Sequence, residues 1–438
     1  MTRNLATTFE PLCGNIPACS EVPNRNRYPQ SSSRVNHPKR PNGFYRRALL
    51  VAAAPLLIAG MAGMASAQIV IRPTVTTYNL TDLSASAPHN YWSWAYAINN
   101  SGRVAGEFYN PQHWDHAFET QPNAAIQSTD DLGSLTVNGA ADTVSRSIAI
   151  NTSGDVVGDS TRYWTTGINA QSSAFLSIPG TPLENLNTTS SSGSFVLSNA
   201  NQTFALGMND AGWIVGSFTT PSDNVNNVYQ THSFVTFGPG WTQPIDSALG
   251  NPAFSATNDV NNKDQMVGFL RQHATDNPTA FFIDFGTQHL TMIGIPTGAS
   301  QSIANALNDS GQVVGNAMFG QNSHAILFQD LNKNGFADPG ELVDLDPTGY
   351  YSSALSINNS GIAVGYFQGL PGTYDYSKAA LFSNGKITDL NTLVNGGTGG
   401  AVLRVASGIN DGGQIVGYMV TPSGDIHAFR LDPVRRIL

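Results

Sequence analysis

The stretch that decides the fold is Ile98-Asn99-Asn100-Ser101-Gly102-Arg103-Val104-Ala105-Gly106, because its pattern returns six more times. Each copy has an apolar residue, Asn, three turn residues, a variable residue, two apolar residues and Gly. The other copies span Ile150–Gly158, Met208–Gly216, Val260–Gly268, Leu307–Gly315, Ile357–Gly365 and Ile409–Gly417. Successive final glycines are 52, 58, 52, 47, 50 and 52 residues apart. Such a period is typical of repeat architectures in which each unit is one supersecondary element.

Each copy has the chemistry of a tight β-hairpin. The Asn side chain can accept a hydrogen bond from the backbone two residues on, and the third residue after it needs a positive φ to close the turn. Six copies have Gly there, and the fourth has Asp264, one of the few side chains that tolerate the left-handed region. The two apolar residues before the final Gly, such as Val156-Val157, are adjacent, so both faces of that strand are expected to be buried. The pattern predicts an inner strand between neighbouring blades.

A second element follows each hairpin after a loop of variable length. Its most regular form is His-Ala-Phe, as in His116-Ala117-Phe118, and its middle residue is Ala or Ser in all seven copies. A small residue at a fixed place indicates close approach of a neighbouring strand, and the Phe is expected to fill the gap between blades. With the further strand visible in some copies, each repeat supplies about four strands. We predict an all-β, seven-bladed β-propeller, with an extended β-solenoid as the weaker alternative.

The ends of the array predict how the ring closes. The last repeat stops at Arg430-Leu431-Asp432 without a final strand. The segment Thr77–Leu83 resembles Ile387–Leu390, the fourth strand of the sixth repeat, and has no repeat of its own to complete. We therefore predict that residues near 75–83 form the outer strand of the seventh blade, which removes an exposed edge.

The paired motifs resemble those of a known family. A His-Ala-Phe element after an Asn-x-x-Gly-x-Val-Val-Gly hairpin is similar to the HAF-repeat (His-Ala-Phe repeat) group of bacterial extracellular proteins, over roughly residues 91–438. His is absent from copies two, four and six, and Phe from copies five and six. The resemblance implies an extracellular location and a repeat fold, and it brings no catalytic residues.

The first 67 residues differ from the rest in composition. Residues 1–47 carry eight of the 21 Lys and Arg residues but only two of the 30 Asp and Glu residues. The apolar run 48–64 and the small-residue site Ala65-Ser66-Ala67 then follow, which is the pattern of a secretory signal. We predict a basic leader and signal peptide over 1–67 and a propeller over 68–438. A retained membrane anchor is the alternative, although Pro55 interrupts the run.

The signal peptide would determine the compartment of the protein, and its removal would change the net charge of the mature chain. We expect an exported protein that is extracellular, periplasmic or at the cell surface, with no stable membrane span after cleavage. Cys13 and Cys19 would be lost, so no disulfide is expected. The remaining net charge is about −15, which offers no footprint for a phosphate backbone, so nucleic acid is not an expected partner.

The sharpest local motif lies in the fifth repeat, where residues 330–341 match the calcium-loop pattern D-x-[DN]-x-[DN]-G-x₅-E at every defined position. Calcium prefers several hard oxygen ligands around a sharp glycine turn. We predict a structural Ca²⁺ that stiffens this loop, and the alternative is a polar turn without metal. The expected ligands are Asp330, Asn332, Asn334, the Phe336 carbonyl, Asp338 and Glu341.

Four histidines occupy equivalent places at the start of the second element. One imidazole per alternate blade cannot converge on a single ion, so we interpret them as hydrogen-bonding groups within their own blades. These residues are His116, His232, His324 and His427.

The loops after each final Gly are the candidate ligand-binding surface, because they should share a face with the blade-to-blade connections. Aromatic residues with interspersed Asp and Asn suit sugar rings or an extended peptide. The alternative is that these rings pack over the blade edges. The candidates are Tyr109, Trp114, Trp164, Tyr366, Tyr374 and Tyr376.

Catalytic motifs do not stand out in the linear sequence: we find no nucleophile with a base, no paired carboxylates of distinctive spacing and no phosphate loop. Catalytic groups of a propeller can come from separate blades. We favour a secreted, calcium-stiffened binding or surface-interaction module, with a glycan as its ligand. The alternatives are a propeller enzyme that cleaves polysaccharide or peptide, and a structural component of the cell surface.

Overall fold

The structure is a computed structural model that describes residues 77–84, 92–109, 115–137, 140–162, 171–187, 202–219, 230–237, 242–347, 351–368, 377–383 and 385–434. The chain divides into two units, Met1–Ala65 and Ser66–Leu438. The predicted leader, signal peptide and cleavage site lie outside the described residues. Within the described ranges, no helix is both long and apolar enough to span a bilayer.

The second unit is an all-β, seven-bladed propeller, as predicted. Each blade is a four-stranded antiparallel sheet, and the first strands of neighbouring blades contact one another around the centre. The first, innermost strands are β2 (Ser93–Ile98), β8 (Val144–Ile150), β12 (Gln202–Met208), β16 (Phe254–Val260), β20 (Gln301–Leu307), β24 (Tyr351–Ile357) and β28 (Val402–Ile409). The second strands are β3 (Val104–Tyr109), β9 (Val156–Arg162), β13 (Trp213–Thr219), β17 (Gln265–Arg271), β21 (Val313–Phe319), β25 (Ala363–Gln368) and β29 (Ile415–Val420).

The third strands contain the His-Ala-Phe element, and the fourth strands form the outer rim. The third strands are β4 (Asp115–Glu119), β10 (Gln171–Ser177), β14 (Thr231–Phe237), β18 (Thr279–Asp284), β22 (Asn322–Phe328), β26 (Lys378–Ser383) and β30 (Ile426–Pro433). The fourth strands are β5 (Asp131–Gly133), β11 (Glu184–Asn185), β15 (Thr242–Pro244), β19 (His289–Gly294), β23 (Leu342–Asp344), β27 (Lys386–Asp389) and, for the seventh blade, β1 (Tyr78–Asp82). A small hairpin, β6 (Thr136–Val137) with β7 (Ala140–Ala141), lies between blades one and two, and short 3₁₀ turns occupy Ser128–Asp130 and Leu390–Leu393.

The predicted closure of the ring is confirmed. Strand β1 pairs antiparallel with β30 over its whole length, from Tyr78 opposite Pro433 to Asp82 opposite Phe429. The first and last described strands of the propeller therefore share one sheet, and β30 has a partner on each side.

This order of strands gives the ring two faces. The turns between first and second strands, with the repeated Asn, lie on one face together with the connections from third to fourth strands; we call it the turn face. The loops between second and third strands share the opposite face with the blade-to-blade connections, and we call it the loop face. The topology thus confirms the predicted placement of the variable loops.

The final Gly of each hairpin is required because the inner strand bulges towards it. All seven inner strands shift register two to four residues before the repeated Asn, as between Ala205 and Gly207. A Cβ on Gly216 would overlap the carbonyl oxygen of Phe204 and would lie 3.0 Å from the ring of Phe234. Only glycine fits between the bulged strand and the ring behind it.

One phenylalanine from the third strand of every blade is buried in the core between blades, as predicted for five copies. These residues are Phe118, Phe175, Phe234, Phe281, Phe328, Phe382 and Phe429. Blades five and six lack Phe in the motif, but their rings come from two residues further along the same strand and the same face. Adjacent Val156 and Val157 belong to different interblade clusters, so both faces of their strand are buried, as expected.

Candidate functional site

The turn face carries a ring built from the repeated Asn. Its side chain accepts from the backbone two residues on, as predicted: the Ser101 N–H donates to Asn99 Oδ1 at 3.1 Å. The positive φ three residues later is also confirmed, including 59° at Asp264. The sequence did not reveal that the same Asn donates its Nδ2 to the backbone carbonyl of the next Asn, as from Asn308 to Asn358 at 2.9 Å. This bond, which we call the interblade clasp, joins six of the seven pairs of neighbouring blades in the described ranges. One of the six runs from Asn410 to Asn99 and joins the last blade to the first.

A second ring lies beside the first, and it is formed by the residue that follows each repeated Asn: Asn100, Thr152, Asp210, Asn262, Asp309, Asn359 and Asp411. The amides and carboxylates of this ring bond to each other and to the backbone of neighbouring members. For example, the Asn262 N–H donates to Asp309 Oδ1 at 2.9 Å, and Asn359 Nδ2 donates to Asp309 Oδ2 at 3.0 Å. The two rings line a recess of about 210 Å³ at the axis. Since Asp309 has donors from both neighbouring blades, we interpret this recess as the structural seam of the propeller.

The predicted calcium loop lies on the turn face, between β22 and β23. Its acidic residues accept hydrogen bonds from the loop's own backbone: Gly335 N–H donates to Asp330 Oδ2 at 2.8 Å, and Leu331 N–H donates to Glu341 Oε1 at 2.7 Å. The amides of Asn332 and Asn334 both donate to Asp338 Oδ2 at 2.7 Å. Five of the expected ligand side chains are thus brought together.

The arrangement of this loop is a closed polar turn that can hold calcium only if the two amides rotate to present oxygen. The two ends of an amide are interchangeable in shape, and calcium accepts carboxylate and amide oxygens. Phe336 is 65% exposed and its ring centroid lies 6.0 Å from that of His289 in blade four, so the loop also contacts the neighbouring blade. In the described ranges no three His, Cys, Asp or Glu side chains form a group that could hold a metal. The calcium site stays a prediction.

The histidines of the second element form hydrogen bonds within their own blades, in agreement with our interpretation. Each Nδ1 meets an Asp on or beside the outer strand of the same blade. The pairs are His116 with Asp131 at 3.0 Å, His232 with Asp246 at 2.5 Å, His324 with Asp344 at 2.9 Å and His427 with Asp82 at 2.8 Å. The last pair lies across the closing strand, so it also fixes β1 to β30.

Two of the predicted ligand-face residues are described. Tyr109 ends β3 at the loop face and is half-buried, with its ring centroid 6.4 Å from that of Trp92. Tyr366 lies in β25 and stacks on Tyr351 of the inner strand at 6.1 Å. Trp114, Trp164, Tyr374 and Tyr376 lie outside the described residues.

Aromatic pairs occur at the loop-face end of several blades. Trp92 also meets Trp94 edge to face at 6.4 Å in blade one, and Phe254 stacks on the buried Phe269 at 5.6 Å in blade four. Trp92, Trp94 and Phe254 are half-buried. Partly exposed rings on one face can receive the apolar faces of sugar rings.

A group of ionisable side chains, Tyr96, Glu107, Asp115, Arg146 and Asp159, lies between blades one and two on the loop-face side. We call it the blade 1–2 cluster. Tyr96 Oη donates to Glu107 Oε1 at 2.6 Å, and Arg146 Nη2 donates to Asp159 Oδ1 at 2.8 Å. Asp115 Oδ1 is buried without a hydrogen-bond partner among the described residues.

Burial gives this cluster unusual protonation. It raises the pKa of Glu107 to about 7, although the Arg146 charge and the Tyr96 hydrogen bond oppose the shift. Burial and the neighbouring Glu107 raise the pKa of Tyr96 well above its usual value, so its hydroxyl stays a donor. Asp159 raises the pKa of Arg146, which keeps that guanidinium charged. The cluster therefore combines a carboxyl group that titrates near neutrality with a fixed positive charge.

No sequence motif marks this cluster, but the seven repeats differ at one of its positions. The residue after the final Gly is acidic only in copies one and two. It is Glu107, Asp159, Ser217, Phe269, Asn316, Tyr366 and Tyr418 in the seven copies. Five blades are built without a charge at this place, so the fold does not require one.

Comparison with known proteins gives similarity to solved structures only. No family model matches the chain, and no curated protein matches it. An oligogalacturonate lyase in complex with manganese is 10% identical with a TM-score of 0.43, and covers 83% of this chain and 96% of its own. An α-L-arabinofuranosidase from Fusarium graminearum is 10% identical with a TM-score of 0.37, over 73% of this chain and 99% of its own. A glycosyl hydrolase from Bacteroides ovatus is 12% identical with a TM-score of 0.27, over 84% and 97%.

Proposed function

We propose that the protein is a carbohydrate-active propeller that cleaves a polysaccharide by general acid–base catalysis at the blade 1–2 cluster. The observation that carries this proposal is that enclosed acidic groups occur at positions where five other blades have uncharged residues. Buried titratable groups cost stability, and they concentrate at functional sites. The cluster therefore favours turnover of the saccharide over binding alone.

Glu107 is the group to which we assign proton transfer. Cleavage of a glycosidic bond by hydrolysis needs one carboxyl group that protonates the leaving oxygen and a second carboxylate that accepts a proton from water. Glu107, with a pKa of about 7, suits the first role, and Asp115 is a carboxylate of the same cluster for the second. Arg146 supplies positive charge beside the reacting groups.

The test is an assay of new reducing ends on a panel of polysaccharides, with a denatured protein as the peptide alternative. Glu107→Gln should lower kcat by about 10²- to 10⁴-fold, the usual contribution of a positioned acid or base. Glu119→Gln is the matched control, because Glu119 is a buried glutamate of the same blade that pairs with Arg103 at the turn face. If Glu107→Gln cleaves as fast as the parent protein, the assignment is wrong.

The pH profile gives a second readout. An acid must be protonated to act, so kcat/KM should fall about tenfold per pH unit above the Glu107 pKa of about 7. A profile that rises through this range would give Glu107 the role of a base.

The second candidate function is a binding module without turnover, and the aromatic pairs at the loop face favour it. Under this alternative, oligosaccharides bind but no product forms, and Glu107→Gln binds as tightly as the parent protein. Export to the extracellular space or periplasm, membership of the HAF-repeat group and the calcium loop remain predictions from the sequence.

A further inference from the structure

Arg271 lies at the loop-face end of β17 in blade four, and no other repeat has a charge at this place. The equivalent residues, three after the final Gly, are Tyr109, Thr161, Thr219, Met318, Gln368 and Val420. The propeller can therefore be built without this guanidinium, just as it can be built without the acidic residues of the blade 1–2 cluster.

The guanidinium of Arg271 lies over an aromatic ring. Its Cζ is 5.4 Å from the ring centroid of Phe254, and Phe254 in turn stacks on Phe269. A cation–π contact orients the planar group and leaves its hydrogen-bonding edge for another partner. The adjoining chain is fixed, because Gln272 Nε2 donates to the Gly250 carbonyl at 3.1 Å.

Arg271 has a buried donor that the described residues leave unused. Its Nε is buried and has no hydrogen-bond partner among them. Four other arginines of these ranges form ion pairs with a carboxylate: Arg103, Arg146, Arg162 and Arg430. Arg271 forms no such pair with the described residues, so its charge is available to an oxyanion of a ligand.

We propose that Arg271 is a subsite for an anionic group, a carboxylate or a sulfate ester, on the saccharide that the loop face binds. The substrate is then an acidic polysaccharide. The guanidinium fork matches both oxyanions, and the half-buried Phe254, backed by Phe269, holds the guanidinium in place. This inference rests on the proposed function, since it names the substrate class of the same face.

The test measures binding to two pairs of polymers that differ mainly in charge: polygalacturonate and its fully methyl-esterified form, and dextran sulfate and dextran. We expect the anionic member of at least one pair to bind about tenfold more tightly or better, and added salt to weaken that binding. The first pair reports a carboxylate and the second a sulfate.

Substitutions at Arg271 then locate the charge. Arg271→Met should weaken binding of the preferred anion by about tenfold to a hundredfold, the range for a charge-assisted hydrogen bond. Arg271→Lys should retain part of the affinity, because it keeps the charge but loses the fork and the stacking. Lys263→Met is the matched control, since it removes the same charge from an exposed residue at the turn face.

The outcomes separate this inference from the proposed function. Cleavage or binding of neutral polymers at equal strength, or an Arg271→Met variant that binds like Lys263→Met, overturns the anionic subsite and leaves the carbohydrate proposal standing. Absence of binding and cleavage with every polysaccharide overturns both. If Arg271→Met does not fold, Arg271→Lys and the polymer pairs still decide.

Discussion

Replacement of Asn308 by Asp should destabilise the ring in a way that depends on pH. The Asn308 side chain is buried, and its Oδ1 accepts from the N–H groups of Ser310 and Gln312, both at 3.0 Å. Its Nδ2 donates to the Asn358 carbonyl at 2.9 Å and to Gln312 Oε1 at 2.8 Å. An aspartate side chain has the same shape and keeps the two accepted bonds. Its second oxygen, however, faces two acceptors.

The magnitude follows from which protonation state of the introduced carboxyl group can donate. The protonated form donates to the Asn358 carbonyl, so at pH 4 the loss of unfolding free energy should be about 1 kcal/mol, one hydrogen bond. The charged form lacks a donor and is buried, so the folded-state pKa of this group rises above the unfolded value of about 3.9. Each unit of that rise adds about 1.4 kcal/mol to the deficit once the pH exceeds the folded pKa. We expect a loss of about 3–5 kcal/mol at pH 8.

The assay is urea denaturation of the parent and the Asn308→Asp protein at pH 4, 6 and 8, followed by far-ultraviolet circular dichroism. Asn395→Asp is the matched control, because Asn395 is exposed and its Nδ2 donates to Asn79 across a longer distance of 3.4 Å. A deficit that is the same at all three pH values, or no larger than that of Asn395→Asp, refutes the interblade clasp as a source of stability.

Three further perturbations test other parts of the structure. Burial raises the pKa of Asp259 to about 7, so the unfolding free energy of the parent should fall as pH rises from about 4 to about 7. Asp259→Asn should lose this pH dependence, but at pH 4 it should be less stable than the parent by about 1 kcal/mol, because the Val260 and Leu307 N–H groups donate to the two carboxyl oxygens and an amide nitrogen cannot accept. A variant whose unfolding free energy falls with pH as steeply as that of the parent would contradict this. Gly216→Ala should lower the unfolding free energy by about 3 kcal/mol or more, because the added Cβ would overlap the Phe204 carbonyl oxygen. Gly286→Ala is the control and should be tolerated, because the nearest atom to its Cβ would be 3.6 Å away. Equal losses of unfolding free energy in the two variants would argue against the close approach at Gly216. If calcium binds the blade-five loop, melting curves in calcium and in chelator should differ, and Glu341→Gln should abolish the difference; coincident curves would leave only the polar turn.

The sequence predicts those parts of the fold that one repeat encodes alone. The Asn–Gly turn, the tolerance of Asp264 and the buried Val156-Val157 pair follow from local chemistry. The closing strand could also be predicted, because an unfinished last repeat and an unpartnered first strand imply each other. The interblade rings of blades five and six were harder to assign, since Phe328 and Phe382 reach the same space from a position two residues later.

Contacts between repeats could not be predicted in the same way. The clasp from Asn308 to Asn358 joins residues that are 50 apart, and in a single copy the repeated Asn is already explained by its own turn. Because the turn alone accounts for the repeated Asn, the sequence gives no sign of its second contact with the next blade. The bulge that makes Gly216 obligatory is likewise a property of the paired strands, and nothing in the hairpin motif itself marks it.

The fold is indicated by positions that repeat in every blade, whereas the candidate site is indicated by positions that do not repeat. Each repeated position of the hairpin has a structural reason, whether turn, clasp or glycine contact, so repetition here indicates fold and carries little about function. Functional residues are then expected where one blade has a charged side chain that packing does not require and equivalent positions in other blades lack it. Glu107, Asp159 and Arg271 meet that condition, because other blades place Ser, Phe, Met or Val at the same positions and still close the ring. An enclosed charge that the fold does not need lowers the stability of the folded state. A role in ligand binding or catalysis at the loop face would explain why these residues are charged.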